Sequence, residues 1–183
     1  MRGNILKSLL AVIFLTIFGA QVYAQESPNR EIGIRLSGLE NFDFAYKKEN
    51  RENRYFRHRL GLVNIGVTGN STISIWSMGL GYALGIENRK AINDKLKFIH
   101  GFEPRVSVSY VFTNDRTESW NFQLGLGYVL GFQYDVSESF YVNIETIPAL
   151  TFRRNTRDDN NSLYSVNAGF SSNGIAVTLA YRF

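Results

Sequence analysis

Ten charged side chains stand in one alternating phase of this sequence: Arg35, Asp43, Arg57, Arg59, Glu87, Glu103, Arg105, Glu145, Arg153 and Arg182. Charges of both signs brought to one surface can do one of two things. They can line an aqueous path and select the ions that enter it. Alternatively they can pair and fill the space between them, because charges buried without partners are prohibitively costly. Other chemistry is sparse. The chain has no cysteine, which excludes disulfides and thiolates. His58 and His100 are its only histidines, too few for a histidine-rich metal site. Asp158 and Asp159 are adjacent and lack the alternating spacing of a calcium loop, so residues 153–159 read as a solvated surface segment. The Gly-x-Gly repeats lie inside alternating segments rather than between a strand and a helix, so they are not nucleotide loops. Lys47, Lys48 and the run from Arg51 to Arg59 form a basic stretch, read as a contact to anionic head groups or as a solvated turn. Elsewhere both signs are scattered, which argues against nucleic acid. No metal or cofactor is expected.

The elements that carry these charges alternate with a period of two. Between residues 120 and 134 the even positions are Trp120, Phe122, Leu124, Leu126, Tyr128, Leu130, Phe132 and Tyr134. The odd positions are Asn121, Gln123, Gly125, Gly127, Val129, Gly131 and Gln133. A helix would mix the two sets, and a strand separates them. The pattern recurs over residues 76–86, 96–112, 140–152 and 175–183. It fits a soluble barrel or sandwich with its apolar face inward, or a membrane barrel with that face turned to lipid. Bulk decides between them. The apolar face holds large aromatics that a small barrel's interior does not accommodate, whereas the other face holds Gly, Ala, Ser and charges. Aromatics also cluster near strand ends, as an interfacial girdle does.

The first 24 residues read as a cleaved signal peptide. Arg2 and Lys7 precede an apolar stretch at residues 9–18, and Val22 and Ala24 fit a small-residue cleavage site. The stretch is shorter than the roughly 20 residues a spanning helix needs. Residues 25–183 then form one domain. Losing Arg2 and Lys7 lowers the net charge from +4 to +2. The mean hydropathy of −0.15 is too polar for a helical membrane bundle.

A hairpin unit occurs twice. Gly79-Leu80-Gly81-Tyr82-Ala83-Leu84-Gly85 matches Gly125-Leu126-Gly127-Tyr128-Val129-Leu130-Gly131. Each copy runs into a short turn, at 92–95 or 136–139, and then to Pro104 or Pro148. These turns share the periplasmic side, and the connections near 113–118 and 155–161 share the other. Eight strands are the nearest closed, even-numbered solution. One parse starts strands near 31, 42, 54, 72, 96, 119, 140 and 162. The other makes 31–47 a single strand, placing Glu40 on the lipid face, and splits the last segment by a turn at 171–174. The matched turns favour the first. The expected fold is all-β: an eight-stranded antiparallel transmembrane barrel with a polar interior.

The chain closes on Val177, Leu179, Tyr181 and Phe183. This alternation ending in a C-terminal Phe resembles the terminal strand of bacterial outer-membrane barrels, and the Ile92-Asn93-Asp94 turn is similar to periplasmic turns of the OmpX/OmpA-type class. The resemblance covers residues 31–183. It implies an outer-membrane location, contact with outer-membrane lipid and recognition by the barrel-assembly machinery. It does not specify an activity. The lipid A deacylase family of small barrels uses His and Ser two residues apart, and neither His58 nor His100 has that spacing. The expected role is non-enzymatic, a monomeric structural or surface-interaction barrel. A narrow channel for ions or small solutes is the alternative, and a lipid-modifying enzyme ranks third.

Overall fold

The computed structural model describes residues 30–37, 42–69, 74–113, 118–157, 162–170 and 174–183. The expected signal peptide, Glu40, Asp158 and Asp159 lie outside these residues, as does most of the 113–118 connection.

Ten strand segments make the wall: β1 (Arg30–Leu36), β2 (Phe42–Arg51), β3 (Arg54–Gly69), β4 (Ser74–Ala91), β5 (Leu96–Thr113), β6 (Glu118–Asp135), β7 (Phe140–Thr146), β8 (Ala149–Arg157), β9 (Ser162–Gly169) and β10 (Ile175–Arg182). They form eight staves. β7 and β8 are halves of one stave, since both pair with β6 in a single register, Leu130↔Thr146 and Gly127↔Ala149. The break falls at Pro148, which has no N–H to give the ladder. Tyr128 N still donates to Pro148 O at 2.9 Å. β9 and β10 are halves of the last stave, pairing with β8 and β7 respectively. Between these halves the alternation switches phase, as an irregularity in a ladder allows. The inward phase passes from Leu163, Ser165 and Asn167 to Ala176, Thr178, Ala180 and Arg182. Antiparallel pairing of β1 with β10 closes the ring, from Glu31↔Arg182 to Leu36↔Val177. The eight-strand parse with a stave beginning at each of residues 30, 42, 54, 74, 96, 118, 140 and 162 is therefore the fold, and 31–47 is a hairpin rather than one strand.

The turns at 92–95 and 136–139 share one end of the barrel with the chain terminus. Their hydrogen bonding is the same. Ile92 N and Asn93 N donate to Leu96 O, as Val136 N and Ser137 N donate to Phe140 O. Asn93 Oδ1 accepts from Leu96 N at 2.8 Å, and Ser137 Oγ accepts from Phe140 N at 3.0 Å. Such side-chain closure is what these residue types provide in turns. We refer to this end as the lower end.

The distribution of side chains is inverted relative to a soluble domain. Charged residues dominate the inside, while Trp76, Leu80, Leu126, Ile144 and Leu179 are each at least half exposed on the outer wall. A belt of apolar side chains around the whole waist is the surface a barrel presents to lipid. β4, β5 and β6 have 18 residues each. At about 3.3 Å per residue and a tilt of about 40°, each rises roughly 45 Å, well beyond an apolar band of about 25 Å. The β1–β2 hairpin is much shorter. β2 pairs with β3 only up to Asp43↔Gly61, and among the described residues β9 pairs with β8 alone. The upper parts of β3–β6, β8 and β9 thus rise past that hairpin.

Candidate functional site: the charged lumen

Glycine and alanine on the inner face make the lumen wide enough to be filled by long charged side chains. At Gly85 an added Cβ would come within 3.0 Å of Arg57 Cγ and 3.3 Å of Glu103 Cβ. Arg57, on β3, is the centre of the filling. Its Nη1 donates to Glu87 Oε2 and Glu145 Oε2, both at 3.0 Å, and its Nη2 donates to Glu145 Oε1 at 2.8 Å. Its Nε lies 3.0 Å from Glu103 Oε2, an ion-pair contact in which the N–H is not aimed for a hydrogen bond. One guanidinium therefore neutralises carboxylates from β4, β5 and β7.

Above Arg57, Arg35 donates through Nε to Glu145 Oε1 at 2.6 Å and through Nη1 to Asp43 Oδ2 at 3.0 Å. Arg59 forks onto Glu103, with Nε at 3.1 Å and Nη2 at 2.6 Å, and its Nη1 binds Asp43. Below Arg57, Lys47 Nζ lies 3.0 and 2.8 Å from the two Glu87 oxygens. Arg89 donates to Glu87 Oε1 at 2.8 Å and forks onto Glu31 at 2.7 and 2.6 Å. At the lower rim Arg182 Nη2 donates to Asp135 Oδ1 at 2.5 Å, and Lys97 Nζ lies 3.0 Å from Asp135 Oδ2. The Tyr141 hydroxyl donates to Glu31 Oε2 at 2.6 Å. Its ring faces Arg182, Arg89 and Lys47 at 4.7, 5.3 and 5.6 Å, and Arg89 also lies 3.7 Å over the Tyr55 ring. Such faces attract cations most where water is excluded.

Every stave contributes a charge to this connected set. Exposure is 0% for Glu87 and Glu103, 1% for Glu145, 2% for Arg57 and 3% for Lys47. Charges so far from water persist only because each has a partner with good geometry. Chemically the set is a self-paired plug of side chains: its ion pairs run among its own members, which come from all eight staves.

Of the ten residues read from the sequence, the structure brings Arg35, Asp43, Arg57, Arg59, Glu87, Glu103, Glu145 and Arg182 into this set. Two stand apart. Arg153 is exposed at the upper end, donating to Gln123 Oε1 at 3.1 Å. Arg105 faces the lumen above Arg59 but has no carboxylate within ion-pair distance among the described residues. Glu31, Lys47, Arg89, Lys97, Asp135 and Tyr141 are members that the sequence reading misses. The phase alone could have found several, since Glu31 shares a phase with Arg35, and Arg89 with Glu87. Lys47 corrects the reading of a basic stretch at the membrane edge. Strand alternation splits that stretch, sending Lys47, Arg57 and Arg59 inward and leaving Lys48 and Arg51 exposed. Both histidines lie on the outer phase against tyrosines. His58 Nδ1 is 2.7 Å from Tyr82 Oη, and His100 Nδ1 is 3.4 Å from Tyr128 Oη. Val177, Leu179 and Phe183 face outward along β10.

No protein-family model matches the chain, and a comparison with curated protein sequences finds no match. Solved structures do match in shape. A major outer membrane protein from Thermus thermophilus superposes with a TM-score of 0.57 at 13% identity, over 84% of this chain and 98% of that one. Ail, the attachment invasion locus protein of Yersinia pestis, gives 0.46 at 12% identity, covering 84% of this chain and 93% of its own. Acinetobacter baumannii CarO gives 0.45 at 7% identity, covering 86% and 98%. At such identities the likeness is one of fold, and this chain has the fold of the small eight-stranded outer-membrane β-barrels.

Proposed function

We propose that this protein is a monomeric barrel of the bacterial outer membrane, closed to ions and solutes, that acts non-enzymatically through the surface it raises above the membrane. The observation that carries this reading is the self-paired plug to which all eight staves contribute. A selective lining would leave its charges hydrated along an open path. Here they are spent on one another. The apolar belt supports the membrane location, and strands longer than the bilayer support an exposed upper wall. Export through a cleaved signal and recognition of Val177, Leu179, Tyr181 and Phe183 by the assembly machinery belong to the same reading.

Orientation follows from the short turns at the lower end and can be checked directly, because the chain has no cysteine of its own. A cysteine at Arg157 (Arg157→Cys) is expected to react with a membrane-impermeant maleimide on intact cells. A cysteine at Lys95 (Lys95→Cys) is expected to react only after the outer membrane is permeabilised. The reverse pattern would place the turns outside, and equal labelling of both in intact cells would remove the protein from the membrane.

A further inference from the structure

Above the plug the lumen opens into a cavity of about 250 Å³, whose polar lining includes Asp43, Arg59, Arg105, Ser107 and Gln123. Its volume is that of roughly eight waters. In its floor Arg35 and Arg59 both reach Asp43 through Oδ2, and Glu103 is shared between Arg57 and Arg59, while neither arginine donates to Asp43 Oδ1. Arg105 is left over. Its Nε is buried with no hydrogen-bond partner, a costly state for a group that is always charged and carries five donors. The socket around it is shaped rather than incidental. Gly125 lies beneath it, and a Cβ there would come within 2.9 Å of Nε and 3.1 Å of Cγ. Gln123 accepts from Arg153 through Oε1, so its amide N–H groups remain as donors beside the cavity. Ser107 adds a hydroxyl.

We propose that this cavity is a binding site for a small carboxylate-bearing solute, held by Arg105 with Gln123 and Ser107 as supporting donors. The planar guanidinium fork matches a carboxylate in a way a point charge does not. Arg105 adds a cation that no carboxylate meets at ion-pair distance among the described residues, and Asp43 and Glu103 offset only part of the positive field that it shares with Arg59 and Arg35. The site lies above the plug, so binding does not require passage through the barrel. A ligand seated there would be presented at the upper face, which extends the surface role proposed above.

The test is calorimetric titration of the refolded protein in detergent, where orientation in a membrane has no influence. Three probes are used: benzoate, its neutral isostere benzamide, and inorganic phosphate. Benzoate is expected to bind saturably and benzamide not to bind. Arg105→Gln is expected to weaken benzoate roughly tenfold or more. Lys90→Gln, exposed at the opposite end, should leave it unchanged. Equal binding of benzoate and benzamide would overturn the site, as would benzoate affinity unaltered by Arg105→Gln. Saturable binding of phosphate without benzoate would overturn the carboxylate assignment. Should Arg105→Gln not refold, the benzoate and benzamide pair on the unaltered protein decides. Arg105→Lys, which keeps the charge and loses the fork, then serves as the second variant, with weaker benzoate binding expected and unchanged binding contradicting the role of the fork.

Discussion

Replacing Arg57 with methionine is expected to destabilise the barrel by about 3–5 kcal/mol, the loss typical when one member of a buried ionic set is removed. The size follows from what is left behind. Methionine roughly fills the volume but strands the carboxylates of Glu87, Glu103 and Glu145, which converge on one guanidinium. Lys47, Arg59 and Arg35 each retain one of those acids, but all three remain in a lumen from which water is excluded. The measurement is urea unfolding of the protein refolded into lipid vesicles, followed by tryptophan fluorescence and by electrophoretic mobility with and without heating. Arg153→Met is the internal comparison: an exposed arginine outside the set, expected to change stability by no more than about 0.5 kcal/mol. A loss below about 1 kcal/mol for Arg57→Met would mean that the stranded carboxylates are hydrated, and the lumen would have to be wetter than its packing indicates.

Gly101→Ala is expected to have the second largest effect, by a different route. Gly101 pairs with Glu87 across the β4–β5 ladder. A Cβ at this position would fall on the backbone carbonyl of Ile86, with Glu87 Cα only 3.1 Å away. Backbone cannot swing aside as a side chain can, so the two strands must separate where Glu87 receives Lys47, Arg57 and Arg89. Overpacking of this kind costs about 1–3 kcal/mol, and more when backbone has to move. Gly125→Ala gives the contrast. The nearest group there is the Arg105 side chain, which can move, so a smaller loss in urea midpoint is expected than for Gly101→Ala. Equal losses at the two positions would show that the close approach of β4 and β5 is not what Gly101 provides.

Much of this architecture is legible in the sequence because a membrane barrel obeys one rule per residue, outward apolar and inward small or polar. The two Gly-rich segments with their matched turns place β4 and β6 and, by spacing, the number of staves. The same rule makes register self-enforcing. A slip by one residue would send Arg57, Glu87 and Glu145 to lipid, where an arginine costs about 2–4 kcal/mol at mid-depth and a glutamate less. What alternation does not encode is partnership. Nothing in the spacing says that Glu31 meets Arg89, 58 residues away, or that Arg57 gathers acids from three staves. Those contacts depend on barrel shear and side-chain reach. Lys47 is hidden by its neighbours in a run of basic residues that looks like one patch until the strand divides it. Arg105 is indistinguishable from Arg59 in sequence, since both are inward arginines two strands apart. Only the allocation of the nearby carboxylates leaves Arg59 paired and Arg105 without one at ion-pair distance among the described residues. The change of phase between Phe170 and Ile175 is visible in the sequence, but it fits a turn between two strands as well as an irregularity within one. The pairing of β9 with β8 and of β10 with β7 is what puts both halves on a single stave.

We propose that the lumen is closed by its own charges. That closure is tested most directly by recording single-channel conductance of the refolded protein in a planar bilayer, after electrophoretic mobility has confirmed a folded barrel. A closed lumen predicts a silent bilayer. Discrete conductance steps that shift in size or ion preference on Glu103→Gln would contradict it and make the same charges the lining of a pore.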